Sequence, residues 1–127
     1  MCWIFLPQGF FSIVADGQQP GRLVIRARIR GDLETLRADL LPQATKVQLT
    51  PTRDYPMRIF APRRAVAAAM SKAVMEIQYT NFKAEILARQ GLGRELLYAK
   101  VHRLMADAED QMMDLEAAHH LGRLRRS

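Results

Sequence analysis

Apolar residues alternate with other side chains along four stretches of this chain and recur at helical spacing along four others. Period-two runs at 3–15, 22–30, 46–50 and 57–61 predict strands, the first bent at Pro7-Gln8-Gly9. "DGQQPG", 16–21, is dense in turn formers and predicts the hairpin loop between the first two. Leu33, Leu36, Leu40 and Leu41 give the stripe of a first helix, with Asp32 as its expected N-cap and Pro42 closing it. Val66, Met70, Ala73, Val74 and Ile77 predict a second helix from about residue 63 to 78. "YTN", 79–81, interrupts it, and Asn81 caps a short helix over 82–90. "GLG", 91–93, ends that helix, and a long final helix begins near Arg94.

This order predicts an α+β fold. A four-stranded antiparallel sheet in β-β-α-β-β-α order carries its helices on one face and is followed by a long C-terminal helix. Residues 1–105 form a single domain in this reading. Residues 106–127 extend the last helix as an oligomerisation segment. "RIRGDLETL" (28–36) and "RIFAPRRAV" (58–66) both pass from strand through a short break into helix, with too little identity to make a duplication.

Alternation also sorts side chains between the two faces of the sheet. Ile25, Ala27, Ile29, Val47, Leu49, Met57 and Ile59 suit the helix-covered side. Arg26, Arg28, Arg30, Lys46, Gln48, Thr50, Arg58 and Phe60 take the other. Charge sharpens that division. Net charge is +6, and residues 1–64 hold ten Lys and Arg against five Asp and Glu, whereas the remainder holds nine against eight. The positive field therefore belongs to the front half, and such a field favours polyanions.

Three readings fit the arginine row. An open basic sheet interleaved with Phe10, Phe60 or Trp3 is a platform for nucleic acid, rings stacking on bases and cations following the backbone, or for an acidic protein surface. An antiparallel sheet also commonly solvates one face, where arginine stems cover apolar surface. In the third, the acids of 107–116 neutralise the row within the chain or between subunits. For the polyanion reading the contact residues are Arg26, Arg28, Arg30, Lys46, Arg58 and Phe60.

The remaining composition narrows the class. With 127 residues, 49% hydrophobic and 25% charged, the chain is one ordinary globular domain. A single cysteine, Cys2, makes no internal disulfide and points to a cytoplasmic setting. The apolar opening lacks a basic n-region and is broken by Pro7 and Gly9, so it is expected to be strand and not signal peptide; no run reaches the roughly 18 apolar residues of a membrane span.

Catalytic spacing is scarce. Ser12 lacks the Gly-x-Ser-x-Gly elbow, and no phosphate loop, dinucleotide fingerprint or metalloprotease motif occurs. Adjacent His119 and His120 point about 100° apart on a helix and make no zinc site alone. No metal or cofactor is expected. The most site-like cluster is "TRDYPMR", 52–58, where the proline holds Asp54 and Tyr55 extended. With His102 as base they outline the alternative function, a small enzyme acting on an anionic substrate. In the structural version of the same cluster, Asp54 pairs with Arg58 and Tyr55 packs on the core.

The blocks "MCWIFLPQGFFSIV", "RARIRGDL", "DYPMR" (54–58) and "TNFKAEI" (80–86) resemble a family of small bacterial proteins that open with Trp-x-Phe-x-Pro-x-Gly-Phe-Phe-Ser. The resemblance covers about residues 1–105 and implies no activity, none being assigned to that family. The tail from Asp107 is longer than in typical members.

That tail carries a heptad seam, Leu97, Val101, Leu104, Ala108, Gln111, Leu115 and Ala118, widened by Met105, Met112 and Met113. Asp107, Glu109, Asp110, Asp114 and Glu116 flank it, and basic "RLRR" ends the helix. Self-association through Leu104, Ala108, Met112 and Leu115 is the expected use, with folding back on the sheet and fraying as the other outcomes.

Overall fold

A computed structural model describes residues 2–51 and 53–126. Thr52 of the expected loop, and Met1 and Ser127 at the ends, lie outside the described residues. The chain divides into two compact units, Met1–Gln78 and Tyr79–Ser127.

The first unit is α+β with an antiparallel sheet of five strands, not four. They are β1 (Cys2–Leu6), β2 (Gly9–Ala15), β3 (Arg22–Ala27), β4 (Gln48–Leu49) and β5 (Met57–Pro62), in spatial order β1-β2-β3-β5-β4. The expected bent first strand is a hairpin. Pro7-Gln8 is its two-residue turn, and Leu6 pairs with Gly9. Proline supplies no ladder donor, and Gly9 adopts φ +151°. A Cβ on Gly9 would lie 2.4 Å from Cγ of Asp32.

Asp32 explains that closeness. It is not an N-cap: helix α1 (Arg30–Asp39) starts earlier, its N-cap position is Ile29 with no side-chain cap, and Asp32 sits in the first turn. Its buried carboxylate accepts the Phe10 backbone N–H at 3.2 Å, tying the β1–β2 turn to the helix start. Gln8 Nε2 donates to Asp39 Oδ2 at 3.2 Å and fastens the same turn to the far end of α1.

Two further boundaries moved for long-range reasons. The strand expected over 22–30 stops at Ala27, opposite Met57. One step on, Arg28 would face Pro56, which has no N–H to continue the ladder. The strand expected over 46–50 keeps only Gln48–Leu49. Thr45 N donates to Phe60 O at 2.9 Å and Phe60 N to Thr45 Oγ1 at 3.0 Å, while Gln48 lies opposite Arg58. Lys46 and Val47 thus span what Ile59 spans alone on β5, the count of a β-bulge.

Helices α1 and α2 (Arg63–Met75) cover one sheet face. Phe11, Ile25, Ala27 and Ile59 from the strands close with Leu33, Leu36, Leu41, Val66 and Ala69 into one core. Ile29 at 51% and Leu49 at 56% are exposed and leave the expected core set. So do Val74, at the end of α2, and Ile77, beyond it.

The second unit holds α3 (Phe82–Gln90) and α4 (Leu92–Arg126). Asn81 caps α3 as expected, its Oδ1 accepting from Ala84 N at 3.2 Å. Gly91 closes α3 at φ +89°, and α4 starts directly after it, two residues before the expected Arg94. Ile86 of α3 and Tyr98 of α4 are buried, with the Phe82 and Tyr98 rings stacked at 6.1 Å. Among the described residues, no helix is long and apolar enough to cross a membrane.

The Gly9–Asp32 contact makes a test of the fold. Gly9→Ala is expected to cost roughly 2–4 kcal/mol in urea unfolding, because the new methyl meets Asp32 and the left-handed backbone resists a side chain. Gly17→Ala, where a Cβ meets nothing within 4 Å, is expected to stay within about 0.5 kcal/mol.

Candidate anion-binding face

Directly opposed residues of an antiparallel ladder share a face. The register therefore lays Trp3, Ser12, Arg26, Arg58 and Gln48 in one row across all five strands, away from the helices. At the usual strand spacing the row is roughly 19 Å long. Beside it run Val14, Val24 and Phe60, and Phe5 opposite Phe10.

No helix of the first unit covers this side, yet Ser12 and Val24 are buried on it. Arginines and aromatic rings of the first unit pack on this side. The Arg22 guanidinium lies 4.5 Å from the centre of the Phe60 ring. Tyr55, buried, is flanked by Arg26 at 4.8 Å and Arg28 at 4.5 Å. Guanidiniums suit this place because they are planar, weakly hydrated and attracted to ring faces, at about 0.5–2 kcal/mol per contact.

The expected arginine row survives only in part. Arg26 is in β3 and donates from Nη2 to Ser12 Oγ at 2.8 Å. Arg28 lies past the strand end, stacked on Tyr55, and donates from Nη1 to the Asp54 carbonyl at 2.9 Å. Arg30 belongs to α1 and faces Glu34 at 3.8 Å, so the third guanidinium of the expected row is not on the strand at all. Lys46 is exposed at the bulge, off the ladder. Phe60 is on the expected face, with Arg22 over its ring.

Arg58 is distinguished by its charge environment. Arg22 has the buried carboxylate of Asp16, whose pKa the Gln18 N–H, ahead of Arg22, holds below the usual carboxylate value. Among the described residues no carboxylate pairs with Arg58, and the expected Asp54–Arg58 pair does not form. Its Nε is shut from solvent without a hydrogen-bond partner. Burial first, then the nearby guanidiniums of Arg26 and Arg53, push its pKa below the ordinary arginine value. A half-buried cation beside two more cations is an arrangement that an anion relieves.

The alternative enzyme site is not assembled within either unit. Asp54 is exposed and Tyr55 is covered by two guanidiniums, both in the first unit, whereas His102 is exposed on α4 in the second. The depression lined by Met113, Glu116, His120 and Arg123 is the side of α4 alone. Among the described residues no three His, Cys, Asp or Glu groups gather to hold a metal.

Sequence reasoning missed Arg22 as a member of the charged surface and Ser12 as a support for Arg26, whereas Arg53 belongs to the 52–58 cluster that the sequence set beside Arg58 as an anion pocket. Arg22 carried a signal, since it stands at the same parity as Arg26 on the same strand. No family model, curated protein or solved structure matches the chain.

The layer of arginine on tyrosine predicts the behaviour of Tyr55 variants. Tyr55→Phe keeps the ring and is expected to change urea-unfolding stability by less than about 1 kcal/mol; Tyr55→Leu removes both stacking partners and is expected to lose roughly 1–3 kcal/mol.

Proposed function

We propose that this protein is a non-enzymatic binding module, cytoplasmic, that holds a polyanion on the open face of its sheet. The observation that carries the reading is Arg58, a half-buried guanidinium with cations as its charged neighbours and no acid paired with it. A residue kept only for structure is expected to have a partner there, because an uncompensated cation lowers stability. Arg26 and Arg53 extend the positive site, and several guanidiniums close together grip phosphate or carboxylate groups with multiple donors.

The reading assigns opposite consequences to one substitution. Arg58→Met keeps the covering stem and removes the charge. It is expected to leave Tm unchanged or raise it, while retention on heparin or inorganic polyphosphate moves to lower salt. Arg26→Ser is expected to weaken retention too. Arg30→Ser is expected to leave it nearly intact, since Arg30 is paired on α1. For every phosphate that a variant no longer neutralises, the slope of log K against log salt is expected to flatten by about 0.7–0.9. Full retention by Arg58→Met, or a marked fall in its Tm, would sink the proposal.

For the second unit we infer self-association. Helix α4 runs for 35 residues, about 52 Å, and buries Tyr98. Leu104 at 67% and Leu115 at 69% stand exposed with Met112 along the seam, and Ala108 between them is half-buried. Acids occupy 107–116 and Arg123, Arg125 and Arg126 the end, so an antiparallel second copy sets the acidic stretch of each helix against the basic end of the other. The solution mass is expected to be that of a dimer, and Leu104→Glu with Leu115→Glu is expected to halve it. A monomeric native chain refutes this.

A further inference from the structure

We propose that the polyanion is a single-stranded nucleic acid, crossing the strands of the sheet with one base stacked on Trp3 and its backbone on Arg26 and Arg58. This rests on the polyanion reading above and adds the chemistry of the ligand to it.

The cross-sheet row carries the inference. Trp3 is two strands from Arg26 and three from Arg58 along one line of directly opposed residues, with Ser12 between. A flat ring therefore stands at one end of a track whose middle is cationic, roughly 10–15 Å away at ordinary strand spacing. Nucleic acid presents these two features together, a planar base and a spaced phosphate chain. An acidic protein segment presents only the charge.

Trp3 is the ring on this face with surface to offer. Tyr55 is covered by Arg26 and Arg28, and Phe60 by Arg22. Phe5 and Phe10 stack on each other, centres 4.6 Å apart. The Trp3 indole meets Phe10 edge-on, at 6.1 Å and 76°, and remains 60% exposed on β1, the edge strand. An edge-to-face contact orients the indole and leaves ring surface to solvent. An exposed ring beside a charged row offers a base a stacking surface, and base–aromatic stacking is worth about 1–3 kcal/mol per base.

Single strands fit this geometry better than duplex. A paired helix keeps its base faces inside the stack and shows a sheet only phosphates and groove edges, which leaves Trp3 unused.

Because the chain has one tryptophan, its fluorescence reports on the proposed contact directly. The probes are the oligonucleotides dT12 and rU12, a duplex of equal length, inorganic polyphosphate and polyglutamate, each titrated into the full chain. Both single strands are expected to quench Trp3 and to bind more tightly than the other three. With a labelled dT12 read by anisotropy, Trp3→Ala is expected to weaken binding about 5- to 150-fold, the range for one stacked base, with Trp3→Phe recovering part of it. Polyphosphate binding by Trp3→Ala should stay unchanged. If dT12 and rU12 bind without quenching, or Trp3→Ala binds them as native does, or polyglutamate or duplex binds as tightly, the nucleic-acid assignment falls while the polyanion reading stands. If neither polyphosphate nor the oligonucleotides bind, both fall together.

Discussion

Stacking of guanidiniums on aromatic rings keeps the open side of this sheet in order. The two helices of the first unit lie on the opposite face, yet Val24 and Ser12 on this one are buried. Arg22 over Phe60, and Arg26 with Arg28 around Tyr55, form a layer of guanidiniums and rings on this side. Arginine is suited to this because its stem packs on apolar surface while its planar head tolerates partial dehydration. The layer is therefore part of the fold and, in the same atoms, a charged surface.

How the charges of that layer are balanced sets what the surface can do. Arg22 is answered by Asp16, Arg30 by Glu34 and Arg28 by a backbone carbonyl. These are structural arrangements, of the kind expected for arginines on a solvated sheet. Arg58 lies on the same face, on β5 beside the edge strand β4, with Arg26 and Arg53 as its charged neighbours. A position that breaks the local rule for burying charge, among neighbours that obey it, is where a binding role is best sought.

The edge of the sheet is held by a different device. Asp32 reaches from the first turn of α1 to the Phe10 N–H, and Gly9 leaves it room. Gln8 binds the other end of α1 through Asp39. The β1–β2 hairpin is thus anchored at its turn, which fixes the register that puts Trp3 opposite Ser12 and in line with the arginines. Without that anchor an edge hairpin is free to slip, and a slip of one residue turns every side chain to the other face.

Alternation and helical spacing along the chain were enough to assign the α+β class, the helix-covered placement of Ile25, Ala27 and Ile59, the opposite placement of Arg26 and Arg58, and the Asn81 cap, because each depends on a residue and its near neighbours. Other features lay with distant partners. The apolar opening reads equally as a bent strand or a hairpin until Leu6 pairs with Gly9. The second arginine strand ends where Pro56, far along the chain, offers no N–H, and Lys46 leaves the ladder through a bulge against Ile59. Which arginines are neutralised was likewise decided only in three dimensions: parity along a strand tells which side a guanidinium faces, whereas its partner depends on which loop and which strand are folded against it.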